Sequence, residues 1–170
     1  GLNQETGAID FDIKVPGEII ATPSIGDGMI VVNTTAGRLI AYDLVTGKQT
    51  WIHESDVPPL SLRGTSAPLV ANGGVLVGTA AGKLQVNIAD SGLVAWEATV
   101  TTPSGATELE RIIDVDTQPV IVGANVYIVS FNGALTAIEL RTGRVIWKRE
   151  YASYRNLAIA GNRIIVSDVS

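Results

Sequence analysis

The chain has 170 residues, of which 46% are hydrophobic and 17% charged, so its composition is that of a folded protein with a sizeable core. Its formal net charge of −5 offers no basic surface for phosphate backbones, and no nucleic-acid partner is expected. The absence of cysteine removes disulfides, thiolate nucleophiles and cysteine-ligated zinc, and the single histidine, His53, is too few for a histidine metal cluster.

One residue pattern occurs three times with constant internal spacing. A proline is followed after 14 residues by glycine, after 2 more by leucine, after 8 more by a second glycine and after 4 more by tryptophan. The copies are Pro23, Gly37, Leu39, Gly47, Trp51; Pro68, Gly82, Leu84, Gly92, Trp96; and Pro119, Gly133, Leu135, Gly143, Trp147. Extra residues fall only between copies, which indicates one repeated supersecondary unit with variable loops.

Each copy predicts four antiparallel strands. Short β-branched runs alternate with turns, and Asp27-Gly28, Asn72-Gly73 and Asn132-Gly133 are typical of hairpins because Asn, Asp and Gly tolerate positive φ. Four antiparallel strands in about 45 residues, repeated in tandem, predict an all-β propeller of four-stranded blades. The tryptophan follows a tight turn into the outermost strand, where its ring fills the gap to the next blade and the turn glycine permits close approach.

In chain order, the repeat predicts three whole blades between two half blades. Residues 1–20 form the end of a split blade and a linker, residues 21–55, 66–100 and 117–151 form one blade each, and residues 155–170 begin another split blade. Phe11 stands at the tryptophan position of the first half blade, whose residues 1–13 are expected to form two strands. Because the halves are complementary, one hypothesis is that two copies close an eight-bladed homodimer of half-rings.

The repeat also carries a family resemblance. Residues 37–51, which read Gly-x-Leu-x-Ala-x-Asp-Leu-x-Thr-Gly-x-x-x-Trp, resemble the blade motif of the pyrroloquinoline-quinone (PQQ)-like propellers. The long connections at 57–68 and 108–119, and the stretch 132–150, resemble the BamB family of lipoproteins from the bacterial outer-membrane β-barrel assembly machinery.

The resemblance implies an eight-bladed ring, of which this chain holds about four blades. It implies a non-catalytic scaffold on the periplasmic face of the outer membrane of Gram-negative bacteria, held there by an N-terminal lipid anchor outside this chain. The implied partners are the polypeptide-transport-associated (POTRA) domains of BamA, together with unfolded outer-membrane protein clients. No cofactor is implied.

The partner-binding residues that the resemblance implies are Leu60, Leu62, Arg63, Asp114 and Asp116. The residues themselves leave other roles open. Arg63 and Asp114 each lie five residues before a repeat proline, so they could brace the two connections against each other. Leu60 and Leu62 either anchor a partner or cap the propeller core, and Asp116 could instead accept backbone hydrogen bonds at the start of a strand.

The rival function is that of a PQQ-dependent quinoprotein dehydrogenase, which shares the repeat. That activity requires a quinone, a calcium ion and a catalytic acid. Asp114 and Asp116 supply too few oxygen ligands for calcium, which takes six to eight. A third class is a scaffold that offers exposed strand edges to unfolded precursors. No catalytic residue and no metal site are expected.

Overall fold

The computed structural model describes residues 1–57, 65–102, 115–131, 133–153 and 155–168. Within these ranges all regular secondary structure is β-strand. No helix in the described part of the chain has the length and apolar character needed to cross a bilayer. The prediction of an all-β fold is confirmed.

The strands group into blades in the order of the sequence. The described residues form three four-stranded antiparallel sheets and one two-stranded sheet, and each sheet is built from consecutive strands. Blade 1 contains β1 (Ser24–Gly26), β2 (Met29–Asn33), β3 (Arg38–Asp43) and β4 (Gln49–Glu54); blade 2 contains β5 (Leu69–Ala71), β6 (Gly74–Gly78), β7 (Lys83–Ile88) and β8 (Val94–Thr99); blade 3 contains β9 (Val120–Val122), β10 (Asn125–Val129), β11 (Leu135–Glu139) and β12 (Val145–Arg149); the two-stranded sheet contains β13 (Ala158–Ala160) and β14 (Arg163–Ile165).

Two hairpins have the turn chemistry that the sequence predicts. Asp27 and Asn72 have φ of 47° and 55°, and the glycines after them have φ of 75° and 74°. Positive φ at both central residues is typical of a type I′ turn, which matches the twist of the flanking strands.

Neighbouring blades pack face to face, and the hydrophobic core lies between them. Val31 and Trp51 of blade 1 belong to one cluster with Val75 and Ala89 of blade 2. Two hydrogen bonds connect the starts of blades 1 and 2. Val70 N of β5 donates to Ser24 Oγ of β1 at 3.1 Å, and Gly73 N of the β5–β6 hairpin donates to Asp27 Oδ2 of the β1–β2 hairpin at 2.9 Å. A second cluster joins blade 2 to blade 3, and a third joins blade 3 to the two-stranded sheet.

The tryptophan of one blade completes the next. Trp51 Nε1 donates to the Ala89 carbonyl at 2.6 Å, and Trp96 Nε1 donates to the Leu140 carbonyl at 3.0 Å. Each indole also packs on the turn glycine three residues after that carbonyl, Gly92 or Gly143. Trp147 lies near Tyr127 instead, with 6.0 Å between ring centroids, and packs in the cluster of the two-stranded sheet.

The first thirteen residues differ from the prediction of two strands. They fold back on themselves around one isolated bridge, Leu2 to Ile9, and no strand forms. Ile13, rather than Phe11, contacts the turn glycine Gly47, at 3.5 Å from a Cβ built there. Phe11 packs instead in the cluster on the face of blade 1 that is opposite to blade 2. A single bridge does not hold this segment in strand register.

The blades present two faces, which we name here. The loop face carries the β2–β3 and β6–β7 turns, residues 34–37 and 79–82, together with the ends of the connections between blades, residues 55–57, 65–66, 101–102 and 115–116. The turn face carries the β1–β2 and β5–β6 hairpins at 27–28 and 72–73, and the β3–β4, β7–β8 and β11–β12 turns at 43–47, 88–92 and 139–143.

Candidate functional site

The predicted partner-binding residues belong to the two long connections, whose described ends lie on the loop face. Leu60, Leu62, Arg63 and Asp114 lie outside the described residues, and Asp116 lies within them. The structure therefore describes the points where each connection leaves and rejoins the blades, together with one predicted binding residue.

The first connection leaves blade 1 over the β2–β3 turn. Ser55 N donates to the Gly37 carbonyl at 2.9 Å. Gly37 has a φ of 73°, and a Cβ on it would lie 2.6 Å from both the Ser55 carbonyl oxygen and Val57 Cγ2. Only glycine fits this contact, so the repeat glycine allows residues 55–57 to pass directly over the β2–β3 turn.

The second connection leaves blade 2 in the same way. Val100 N and Thr101 N both donate to the Gly82 carbonyl, at 2.9 and 3.0 Å. It returns beside the same turn, where Val115 N approaches the Thr79 carbonyl at 3.4 Å. Both connections thus start from equivalent places on adjacent blades.

Asp116 lies in a partly buried, weakly solvated position. It lines a cavity of about 130 Å³ on the loop face, together with Asp56, Thr65 and the β2–β3 and β6–β7 turns. Burial raises the pKa of its carboxyl to about 6. No described residue donates a hydrogen bond to this carboxylate or forms an ion pair with it. Among the described residues, Asp116 therefore has no backbone N–H partner of the kind that its alternative role at the start of a strand requires.

Sequence reasoning did not find the hydrogen-bonded group beside Asp116. Ser66 and Thr117 each lie two residues before a repeat proline and are 2% and 1% exposed. Ser66 Oγ donates to the Thr117 carbonyl at 2.8 Å and accepts from Gly78 N at 3.0 Å. Asn33 Nδ2 donates to the Ser66 carbonyl at 3.0 Å. A hydroxyl side chain at the same position in copies two and three was the available signal.

The opposite face holds a larger apolar cleft. It has a volume of about 560 Å³ and lies between blades 2 and 3, lined by Gly74, Leu76, Val86 and Leu140 among others, with Glu139 and Arg141 also in its lining. Gly74 lies six residues after its repeat proline, where blade 1 has the buried Met29. Because Gly74 has no side chain, space remains between blades 2 and 3. The Met29 side chain fills the equivalent space between blades 1 and 2.

No group of three or more His, Cys, Asp or Glu side chains among the described residues is arranged to hold a metal ion.

A family model described as outer membrane protein assembly factor BamB matches residues 1–170. The chain belongs to the BamB family. A BamB of Alteromonas naphthalenivorans is 59% identical over 167 residues, which cover 98% of this chain and 40% of that relative. The chain therefore spans about two fifths of the length of that curated relative.

Solved structures agree with this assignment. The crystal structure of BamB from Moraxella catarrhalis superposes with a TM-score of 0.91 at 27% identity, covering 99% of this chain and 51% of that one. The quinohemoprotein alcohol dehydrogenase of Comamonas testosteroni has a TM-score of 0.64 at 21% identity and covers 79% of this chain and 21% of that one, a likeness in fold alone. The prediction of a BamB-type partial propeller is confirmed.

Proposed function

We propose that this chain is part of a non-catalytic scaffold subunit of the outer-membrane β-barrel assembly machinery, one that docks on the periplasmic POTRA domains of BamA. The observation that carries the proposal is the family match over the whole of residues 1–170. The whole protein acts at the periplasmic face of the outer membrane of Gram-negative bacteria, where a lipid anchor holds it, and helps client outer-membrane proteins to fold and insert.

The docking surface is the loop face. Its support is the parallel departure of both long connections from equivalent turns of blades 1 and 2, which places their ends on one side of the propeller. Leu60 and Leu62 supply apolar anchors, and Arg63, Asp114 and Asp116 supply charges that set orientation and specificity more than affinity. The partial burial of Asp116 strengthens its electrostatic contribution, because fewer waters screen it.

The direct test is binding of the full-length protein to purified POTRA domains by titration calorimetry. Combining Leu60→Ala with Leu62→Ala, or making Asp114→Ala alone, is expected to weaken binding at least about tenfold. The matched control combines Val45→Ala with Leu93→Ala, two aliphatic side chains that are 90% and 66% exposed beside the turn face. Unchanged affinity in every loop-face variant, with thermal stability retained, would reject this surface.

A charge exchange distinguishes the two roles proposed for Arg63 and Asp114. Arg63→Asp and Asp114→Arg should each weaken binding. If the pair only braces the connections, the double variant restores binding, because the attraction is rebuilt with reversed polarity. If either residue touches the partner, the double variant stays weak.

A homodimer of half-rings is proposed for the isolated 170-residue chain. The two-stranded sheet of β13 and β14 is marginal by itself, and residues 1–13 form only one bridge. Each end of one copy would complete the blade begun at the other end of its partner. Light scattering should then give twice the 17.8 kDa chain mass, and a monomer at micromolar concentration would contradict the proposal.

The rival dehydrogenase function has only the shared fold in its favour. A quinone absorption band and dye reduction after reconstitution with PQQ and calcium would support it. We expect neither.

A further inference from the structure

Three blades meet at the side chain and carbonyl of Ser66. We infer that Ser66 is a positioning residue for docking, which holds Asp116 in place on the loop face by fixing the starts of blades 2 and 3 to each other. This inference rests on the proposed docking function. It adds a buried residue, 2% exposed, to the group on which binding depends.

The partners of Ser66 and of its counterpart Thr117 come from equivalent positions of the repeat. Asn33, Gly78 and Val129 each lie ten residues after their repeat proline. Asn33 Nδ2 binds the Ser66 carbonyl at 3.0 Å, and Gly78 N binds Ser66 Oγ at 3.0 Å. The Thr117 hydroxyl donates to the Val129 carbonyl at 2.6 Å.

Ser66 differs from Thr117 in the use of its hydroxyl. The Thr117 hydroxyl bonds within blade 3. The Ser66 hydroxyl accepts from blade 2 and donates to the Thr117 carbonyl of blade 3, at 2.8 Å. That carbonyl belongs to the residue directly after Asp116, so the bond acts on the backbone that carries the carboxylate.

The residue before Asp116 is held by close packing. A Cβ on Gly78 would overlap the Val115 carbonyl oxygen and lie 2.7 Å from Val115 Cγ1. Gly78 therefore allows Val115 to press against blade 2 while its own N–H bonds to Ser66. Asp116 is thus fixed on both sides, by packing at Val115 and by the Ser66 hydrogen bond at Thr117.

Burial makes this arrangement sensitive to the hydroxyl. Ser66 and Thr117 are 2% and 1% exposed, and loss of the hydroxyl would leave Gly78 N without its acceptor and the Thr117 carbonyl without its donor. Removal of one oxygen therefore loosens the backbone at 115–117 without changing any residue on the docking surface.

The test compares Ser66→Ala with Ser66→Thr in the full-length protein. Threonine keeps the hydroxyl group that Ser66 uses for these bonds. The control is Ser91→Ala, which removes a hydroxyl from the β7–β8 turn on the turn face, where it accepts from Leu93 N at 3.4 Å. Each variant is measured without partner, by hydrogen exchange of the amides of residues 115–118 and by ¹³C NMR titration of the Asp116 carboxyl, and then with POTRA domains by calorimetry.

Ser66→Ala is expected to speed exchange at 115–118 about tenfold, to lower the Asp116 pKa from about 6 towards its ordinary value, and to weaken POTRA binding about tenfold. Ser66→Thr should restore all three values, and Ser91→Ala should change none. If Ser66→Ala does not fold, Asn33→Ala removes only the bond to the Ser66 carbonyl and should shift the same readouts in the same direction.

Exchange and titration at Asp116 that do not respond to Ser66→Ala would overturn the inference, whatever the binding result. Altered exchange with unaltered POTRA affinity would also overturn it, because positioning would then have no effect on docking. Failure of the unmodified protein to bind POTRA domains would instead reject the proposed function, and the two partner-free measurements would still show whether Ser66 positions Asp116.

Discussion

The indole of Trp51 packs against Gly92 of the following blade, and its Nε1 donates to the Ala89 carbonyl in the same turn. A Cβ on Gly92 would lie 2.6 Å from Trp51 Cδ2, so the contact exists only because residue 92 has no side chain. The same relation joins Trp96 to Gly143. Blades 1 and 2 thus each depend on a turn of the following blade for the packing of their tryptophan.

Gly92→Ala should destabilise the chain by about 3 kcal/mol, because the methyl group meets the Trp51 ring and the backbone has a φ of 72°. Gly73→Ala is the matched control. Its φ is 74° but nothing lies within 4 Å of its Cβ position, so only the backbone cost of about 1 kcal/mol should appear. Urea unfolding measures both, and equal losses would show that the indole contact is easily displaced.

Trp51→Ala should cost roughly 3–5 kcal/mol of unfolding free energy, as expected for a large buried aromatic side chain. Trp51 is 8% exposed and packs on Gly92 of the next blade, whereas Trp147 is only partly buried and lies beside Tyr127 of its own blade. Trp147→Ala should therefore cost clearly less. The comparison uses the same urea titration, and a larger loss at Trp147 would contradict the role given to the neighbouring turn.

Gly74→Ala should stabilise the chain by about 0.5–1 kcal/mol, because alanine reduces the entropy of the unfolded chain and fills part of the cleft between blades 2 and 3. The nearest atom to its Cβ position is Val86 Cγ1 at 3.4 Å, an ordinary contact. Gly26→Ala, on the innermost strand, should have the opposite effect because its Cβ would lie 2.7 Å from the Val70 carbonyl oxygen. Thermal unfolding of both variants tests the pair, and destabilisation by Gly74→Ala would show that the cleft is already closed in solution.

Asp116→Asn should stabilise the folded state at pH 7 but not at pH 3.5. The pKa of Asp116 is raised by burial to about 6, so the folded state holds its proton more tightly than the unfolded state does. Ionisation between about pH 4 and pH 7 therefore lowers stability, and the amide removes this penalty.

After allowance for the partial exposure of Asp116, the gain from Asp116→Asn at neutral pH is about 1 kcal/mol. Urea unfolding at a series of pH values measures it. A stability difference between variant and parent that does not change with pH would contradict the raised pKa.

Much of the fold followed from spacing alone. The spacing of four residues from Gly47 to Trp51, which recurs in the other two copies, predicted that each indole lies just after a turn. The Asp27-Gly28 and Asn72-Gly73 pairs predicted two hairpins, because these residue types tolerate positive φ. Such features depend on local geometry, which a repeat displays several times. Phe11 shows the limit of prediction from spacing. It occupies the tryptophan position of the pattern, but residues 1–13 do not form the strand pairing that this position implies, and Phe11 packs against another cluster.

The loop face could be predicted only in part. The six extra residues before Pro119 marked one connection as unusual, and the family resemblance supplied the candidate residues. The bonds from Ser66 to Gly78 and Thr117 join positions 12 and 51 residues apart, and serine is common on protein surfaces, so the hydroxyl shared with Thr117 was a weak signal that Ser66 is buried. The raised pKa of Asp116 likewise arises from surroundings assembled across two blades.

Trp51 and Trp96 each pack on a turn that lies later in the sequence, so neither contact can form until that turn has been synthesised. When residue 51 is added to the growing chain, Ala89 and Gly92 have not yet been synthesised, so about 40 further residues are needed before the indole has its hydrogen-bond acceptor. Blades 1 and 2 therefore each keep an apolar face exposed until the following blade has been made, and both junctions can close only after it has folded.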